Sequence, residues 1–182
     1  MKMQIAKLTS NRIYFSDDEF YRINPDIIYE FSLKKGLELN EEKAKELFEA
    51  LMLFRAYSFL SKRDYSKKEL KFKLLNEFPK SAPYEKVLSI LEEKTYIDDF
   101  SFAKNYILNK KLSKKKTYYD LSMKGIKKEV IDEIYSSLDL NEKEDIKKIL
   151  TKLDKKDERK QIEYLLRKGY NLQDILFVIK EK

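Results

Sequence analysis

The sequence predicts a mainly α-helical protein in which tandem three-helix repeats form an elongated array behind a small N-terminal β-plus-helix extension. Three observations support this prediction. Only three Gly and three Pro interrupt the 182 residues, and residues 84–182 contain no Pro, so that stretch can be nearly continuous helix with short turns. From Asn40 onward, apolar residues recur in steps of three and four, which is the period of a helix. The pattern LSMKGI at 121–126 returns as LLRKGY at 165–170, 44 residues later, as in stacked repeats.

The first forty residues differ from the rest and are predicted to form small strands followed by a short helix. Residues 4–9 roughly alternate between polar and apolar, and short runs of aromatic and β-branched residues lie at 12–15 and 20–23. Both patterns favour strands, of which we expect two or three. The acidic segment 16–19 is typical of a turn between them. Pro25 suits the first turn of a helix, which we expect to stop at Gly36.

A first three-helix repeat is predicted over 41–97. Asn40 can cap a first helix whose apolar stripe is about five turns long. Ser66 and Glu69 have the capping-box spacing at the start of a second helix, and its apolar residues recur at every fourth position as far as Phe78. A third helix is expected to follow Pro83.

Two further repeats are predicted over 98–140 and 141–182, so that the chain consists of these three repeats behind the extension at 1–40. In both of the later repeats the second helix leads into a Lys-Gly pair, at Gly125 and at Gly169. Glycine is the usual residue in the left-handed position that stops a helix. Both glycines are therefore expected to be structural.

The composition argues against catalysis. The chain has no Cys and no His, which removes disulfides, thiolate nucleophiles, the usual zinc sites and the commonest general base. The three glycines are too far apart in sequence for a phosphate-binding loop. The acidic pair Asp98 and Asp99 is better suited to capping a helix than to holding a metal, because adjacent residues point in different directions. We therefore expect a protein that is not an enzyme and needs no cofactor or metal.

The sequence also bears on where the protein acts. No run approaches the ~20 apolar residues that a membrane helix needs, and the first residues lack the apolar centre of a signal peptide. We expect a cytoplasmic protein with no membrane partner. No sequence feature demands a dimer, so we expect a monomer.

The net charge of +7 is concentrated in one part of the chain. Basic and acidic residues cancel over 1–40, and the whole excess lies in 41–182. Between Lys104 and Lys128, nine lysines accompany a single acidic residue, Asp120. Such a patch is what contact with phosphates requires, because each neutralised phosphate releases counterions. A solvated lysine-rich surface without a ligand is the other interpretation.

Most residues that we expect to bind a nucleic acid or a protein–DNA filament lie at two turns of the second repeat. The lysines at 110–116 are expected on the turn before its second helix, and those at 124–128 on the turn after it. Tyr118 and Tyr119 on that helix could stack on bases, although helical spacing predicts that at least one packs in the core. The predicted binding residues are Arg63, Lys67, Lys110, Lys111, Lys114, Lys115, Lys116, Lys124, Lys127 and Lys128.

Three motifs, in order, resemble those of the RecX family. The segment RDYSKKELKFKL at 63–74 is similar to the first-unit signature of that family, YIDDFSFA at 96–103 to its junction between units, and LSMKGI at 121–126 to its second-unit motif. Two local departures occur. Thr95 stands where a glycine often precedes the aromatic residue of the junction, and residues 77–78 are Glu-Phe where Lys-Gly is usual.

The resemblance implies a negative modulator of the RecA recombinase. Members of the family are arrays of three-helix units that lie in the helical groove of the RecA–DNA filament. There they restrain strand exchange and the coprotease activity that drives the SOS response. The expected partners are therefore the RecA filament on DNA and, in addition, naked single- or double-stranded DNA.

Two other interpretations stay open at the level of sequence. A stand-alone basic helical DNA-binding protein would bind naked DNA with a steep salt dependence and would not need RecA. A structural adaptor, whose lysines only keep the surface solvated, would bind neither DNA nor filament. The three ordered motifs favour the RecX-like interpretation.

Overall fold

The computed structural model describes residues 3–16, 19–138, 140–153 and 157–181. The chain divides into two compact units, Met1–Asp98 and Asp99–Lys182. Hydrophobic side chains form one core in the first unit and two separate cores in the second.

The first unit begins with a small antiparallel sheet. Its strands are β1 (Met3–Leu8), β2 (Arg12–Phe15), β3 (Phe20–Arg22) and β4 (Glu38–Leu39), in the order β3-β2-β1-β4. The first three occupy the segments predicted as strands. The short β4, which pairs Leu39 with Met3, was not predicted. Of the predicted turn at 16–19, Asp17 and Asp18 lie outside the described residues.

The predicted stop of the first helix at Gly36 is wrong. Helix α1 (Pro25–Glu30) is capped by Asn24 and ends six residues before Gly36. Ser32 takes the left-handed conformation there, with φ 47°, and closes the helix. Gly36, with φ 84°, instead turns the chain into β4, and its amide donates to the carbonyl of Ile5 over 2.8 Å.

The first repeat consists of α2 (Glu41–Leu60), α3 (Lys67–Leu75) and α4 (Tyr84–Glu93). The predicted caps are confirmed: Asn40 accepts from the amide of Lys43, and Ser66 and Glu69 make both hydrogen bonds of a capping box. This repeat shares its core with the sheet. Burial of that common apolar surface stabilises both parts together.

The departure from Lys-Gly at residues 77–78 has a structural explanation. Phe78 lies beyond the end of α3, and its ring stacks on Tyr21 of β3 with 5.2 Å between the centroids. Glu77 forms a two-point ion pair with Arg55 of α2, at 2.5 and 2.6 Å. The turn that follows α3 therefore contacts both the sheet and α2.

The second unit contains the other two repeats. Helices α5 (Asp99–Lys110), α6 (Lys114–Met123) and α7 (Lys128–Ser137) surround one core, and α8 (Glu142–Lys152), α9 (Glu158–Arg167) and α10 (Leu172–Lys180) surround another. The predicted fold class, mainly α with three-helix repeats behind a small β-plus-helix extension, is confirmed. The division into 1–40, 41–97, 98–140 and 141–182 stays a prediction.

The glycine stops of the repeats are also confirmed. Gly125 and Gly169 adopt φ 87° and 86°, and the residue after each donates its amide to the carbonyl five positions back, at Leu121 and Leu165. This is the Schellman geometry that a left-handed residue makes possible. Thr95 has the same role at the end of α4: its φ is 57°, and the amide of the next residue donates to the carbonyl of Leu91. Glycine could occupy this position without strain.

Candidate functional site

The lysine-rich turn of the second repeat is shorter than the sequence predicts. Lys110 is the last residue of α5, and the turn itself comprises only residues 111–113, with Lys111 at φ 46°. Lys114–Lys116 are not in the turn, because they form the first turn of α6. Ser113 caps that helix by accepting from the amide of Lys116 over 3.2 Å, a local preference that outweighs the repulsion between neighbouring lysines.

Three hydrogen bonds tie this turn to the turn between α9 and α10 of the third repeat. The amide of Ser113 donates to the carbonyl of Lys168 over 3.1 Å. The ammonium group of Lys168 donates to the carbonyl of Lys110 over 2.6 Å, and the hydroxyl of Tyr170 donates to the carbonyl of Lys111 over 3.1 Å. The lysines at 110–116 therefore have their backbone fixed by residues far along the chain.

Gly169 lets the two turns approach so closely. A Cβ atom at this position would lie 2.7 Å from both the Cβ of Lys116 and the Oγ of Ser113, nearer than side chains pack. Gly169 was predicted only as a helix stop. Its second role depends on a neighbour more than fifty residues away, for which the local pattern holds no signal.

A carboxylate of the third repeat neutralises part of the charge at the start of α6. The first turn of this helix contains three lysines and no acid, which is unfavourable at the positive end of a helix dipole. Glu142 of α8 accepts from the amide of Lys114 over 2.5 Å. The third repeat thus supplies a negative group to the first turn of α6, which contains none of its own.

Aromatic rings beneath the patch hold some lysines in place. Tyr118 and Tyr135 stack with 5.7 Å between their centroids, and the Lys114 ammonium lies 5.1 Å from the Tyr135 ring centre. The Tyr118 hydroxyl donates to Asp132. Burial, together with this bond to a carboxylate, raises the pKa of Tyr118 from 10.0 to about 12. Tyr118 is thus packed within the repeat, whereas Tyr119 is exposed.

The structure sorts the predicted lysines of the second repeat into two groups. The first group has internal contacts: Lys116 pairs with Asp120 over 3.1 Å, and Lys114 lies against the rings of Tyr118 and Tyr135. Lys124, also in this group, lies about equally close to the rings of Phe102 and Tyr106. The second group has ammonium groups that make no hydrogen bond or ion pair with any described residue: Lys110, Lys111, Lys115, Lys127 and Lys128. The second group is therefore available to a ligand without breaking an internal contact.

Arg63 and Lys67 belong to the first unit and serve its own structure. The guanidinium of Arg63 lies 3.7 Å from the Tyr65 ring centre, pairs with Glu69 at 3.6 Å and donates to the carbonyl of Asp64. Lys67 pairs with Glu92 of α4 at 2.6 Å. Both positions stay predictions as binding residues, with internal partners that a ligand would have to replace.

A cleft of about 350 Å³ adjoins the lysine turn in the second unit. Lys111 and Lys114 line it together with Asp132, Glu142 and Asp145, so its wall carries both signs of charge. The sequence did not indicate this cleft, because its walls come from two repeats. One local signal for the contact between the second and third repeats is Tyr170. Its hydroxyl group stands where the matching position of the second repeat has the fully apolar Ile126.

Other classes of site find little support in the described part of the chain. No group of three or more His, Cys, Asp or Glu residues is placed to hold a metal ion there. Asp99 is the first residue of α5 and lies in its acidic first turn. None of the helices described combines the length and apolar character that crossing a membrane requires.

Comparison with known proteins identifies the family. The regulatory protein RecX of Clostridium beijerinckii is 31% identical over 200 residues, which cover 99% of this chain and 93% of that protein. The RecX of Clostridioides difficile is 34% identical over 149 residues, covering 76% of this chain and 69% of the relative. The chain belongs to the RecX family. The resemblance seen in the three sequence motifs is thereby confirmed.

Solved RecX structures have the same fold. A crystal structure of regulatory protein RecX, 22% identical, matches with a TM-score of 0.52 over 99% of this chain and 100% of that one. RecX from Lactobacillus salivarius, 20% identical, matches with a TM-score of 0.53 over 74% and 96%. No family model matches the chain.

Proposed function

We propose that this RecX-family protein binds the RecA filament on DNA in its helical groove and restrains strand exchange and coprotease activity in DNA repair and the SOS response. The observation that supports this most is the anchored lysine patch. Three hydrogen bonds with the third repeat fix the backbone at residues 110–113, and the ammonium groups of Lys110, Lys111 and Lys115 beside this turn make no hydrogen bond or ion pair with a described residue. A rigid patch of accessible cations suits a polyanion of regular geometry.

The energetic argument rests on counterion release. Phosphates neutralised by lysines give up condensed ions, which makes binding favourable and strongly dependent on salt. Lysines held on a fixed backbone lose less freedom on binding than lysines on a mobile loop. We therefore expect the patch to contribute to filament binding as a unit.

The proposed mode of action is binding without catalysis. A protein that bridges successive filament subunits can block the groove that a second duplex or a cleavage substrate must enter. It can also shift the assembly equilibrium if it prefers one filament conformation. In this proposal the protein acts in the cytoplasm as a monomer and needs no cofactor.

The test measures RecA's ATP hydrolysis on single-stranded DNA at two salt concentrations, titrated with this protein, with naked-DNA binding measured in parallel. Inhibition at protein amounts well below those that coat the DNA supports filament regulation. Inhibition only at saturation of the bare DNA would instead favour a stand-alone DNA-binding protein. No effect at either salt concentration would refute the proposal.

A charge-reversal variant links the effect to the patch. Replacing Lys114, Lys115 and Lys116 together by Glu should weaken inhibition, while helicity by circular dichroism stays unchanged because acidic residues suit the first turn of a helix. The matched control is Lys34→Glu with Lys35→Glu and Lys80→Glu, three exposed lysines of the first unit. Both triple variants change the net charge equally, so equal inhibition by the two would argue against a role of the patch.

A further inference from the structure

Helices α3 and α6 occupy the same place in the first and second repeats. Each begins after a buried serine cap, Ser66 or Ser113, whose side chain accepts from the amide three residues on. Each places a fully buried leucine, Leu74 or Leu121, eight residues after the cap. Positions in the two helices can therefore be compared one by one.

At one such position both helices expose an aromatic side chain. Phe72 of α3 and Tyr119 of α6 each follow the serine cap by six residues, and each is 63% exposed. A large aromatic ring in water forgoes most of the free energy that its burial would supply. Its occurrence at the same position of two helices points to a surface that is covered when a ligand binds.

A lysine lies one helical turn before each exposed ring. These are Lys68 and Lys115, both exposed, and residues four apart share a helix face. The surrounding sequence is basic in both helices: α3 contains four lysines and one acid, and α6 contains three lysines and one acid. The face therefore combines a flat apolar ring with positive charge.

The third repeat shows the contrast. In α9 the positions that correspond to Lys115 and Tyr119 are Arg159 and Glu163, which form an ion pair at 3.4 Å. This helix face is ordinary solvated surface. The combination of lysine and ring is thus particular to the first two repeats and is not a requirement of the three-helix fold.

We infer that Lys68 with Phe72, and Lys115 with Tyr119, are two stacking sites for single-stranded nucleic acid, the lysine contacting a phosphate and the ring contacting a base. A ring and a cation one turn apart match the alternation of base and phosphate in a strand. Bases inside a duplex are stacked on each other and cannot offer their faces, so the single strand is the fitting ligand. Lys116 lies 5.5 Å from the Tyr119 ring centre, so a second cation lies beside this ring.

The inference rests on the proposed function, for which it names the form of nucleic acid that the protein contacts. The experiment uses the full chain and a fluorescent oligothymidylate, without RecA. Tyr119→Ala and Phe72→Ala should each weaken binding by about tenfold, the usual scale for one stacked base. Tyr119→Phe, which keeps the ring, should bind like the wild type. Tyr29→Ala is the matched control, because Tyr29 is 88% exposed but has Pro25 where a lysine would be needed.

An abasic strand of the same length separates stacking from charge. On this strand the wild type and Tyr119→Ala should bind equally, since no base is present to stack. A tenfold loss on both strands would overturn the inference. So would normal binding of oligothymidylate by both alanine variants combined with loss of RecA inhibition, which would assign the rings to a protein surface and leave the proposed function intact.

Discussion

The hydroxyl of Tyr170 donates a hydrogen bond of 3.1 Å to the main-chain carbonyl of Lys111, although the two residues lie 59 apart in the sequence. Tyr170 is buried and follows the glycine that stops α9, whereas Lys111 occupies a left-handed turn position after α5. Burial raises the pKa of Tyr170 well above its ordinary range, so the donor remains protonated. One side chain of the third repeat thus helps to hold the lysine turn of the second.

Removing this hydroxyl should destabilise the second unit. Tyr170→Phe keeps the ring but leaves the Lys111 carbonyl without that donor, which we expect to cost about 1 kcal/mol. Urea unfolding monitored by circular dichroism measures the loss. Tyr29→Phe is the control, since Tyr29 is exposed and its hydroxyl makes no hydrogen bond with the described residues. An unchanged free energy of unfolding for Tyr170→Phe would mean that the bond contributes nothing.

Alanine at Gly169 should cost more than alanine at Gly36. Both glycines have nearly the same φ, 86° and 84°. An alanine at either position is strained in this left-handed conformation, which lowers the free energy of unfolding by about 1–2 kcal/mol. At Gly36 the added Cβ meets nothing within 4 Å, whereas at Gly169 it meets Lys116 and Ser113 at 2.7 Å. Overpacking should add about 1–3 kcal/mol at Gly169. Equal losses in urea unfolding would show that the turns can separate without cost.

Glycine in place of Thr95 should stabilise the first unit. Thr95 has φ 57°, a conformation in which a β-branched side chain is strained and glycine is not. We expect Thr95→Gly to raise the free energy of unfolding by about 1 kcal/mol, partly offset by the greater entropy of glycine in the unfolded chain. The neighbouring Lys94, with φ −84°, is the control, because Lys94→Gly brings only the entropy cost. Thermal unfolding followed by circular dichroism measures both variants. A change of the melting temperature in the same direction for Thr95→Gly and Lys94→Gly would contradict this account.

The elevated pKa of Tyr118 predicts a loss of stability at alkaline pH. Burial, followed by the bond to Asp132, raises that pKa from 10.0 to about 12. The unfolded chain releases this proton near pH 10 while the folded chain keeps it, so the contribution is complete below pH 10 and is lost as pH rises through 12. Between pH 10 and 12, the free energy of unfolding measured in urea should fall less steeply for Tyr118→Phe than for the wild type. We expect Asp132→Asn to lie between the two. Parallel curves for the wild type and Tyr118→Phe would refute the assignment.

Local signals account for what could be predicted from the sequence. A capping box at Ser66 and the glycine stops at Gly125 and Gly169 involve only near neighbours in the chain, and all of them are found in the structure. The end of α1 was missed because Ser32 adopts a left-handed conformation that its residue type does not announce. Likewise β4 consists of two residues, too few to show an alternating pattern.

The geometry of the candidate site depended on contacts that no local pattern contains. The lysines themselves were visible as a charge excess, but the bonds that anchor their turn come from Lys168 and Tyr170, and the carboxylate beside α6 comes from Glu142. Side chains that are neighbours only in the folded state leave no periodic trace in the sequence. Their discovery required the packing of the second repeat against the third.

The bond between Tyr170 and Lys111 also has a consequence for synthesis of the protein. Translation proceeds from the N-terminus, so the lysine turn is made before the residues that fix it, by 59 residues. At roughly 5–20 residues per second, this delay is on the order of several seconds. During that interval a nascent chain displays the cationic side chains on a backbone that is not yet anchored. A chain whose synthesis stops before residue 168 would keep the charge but never acquire its fixed arrangement.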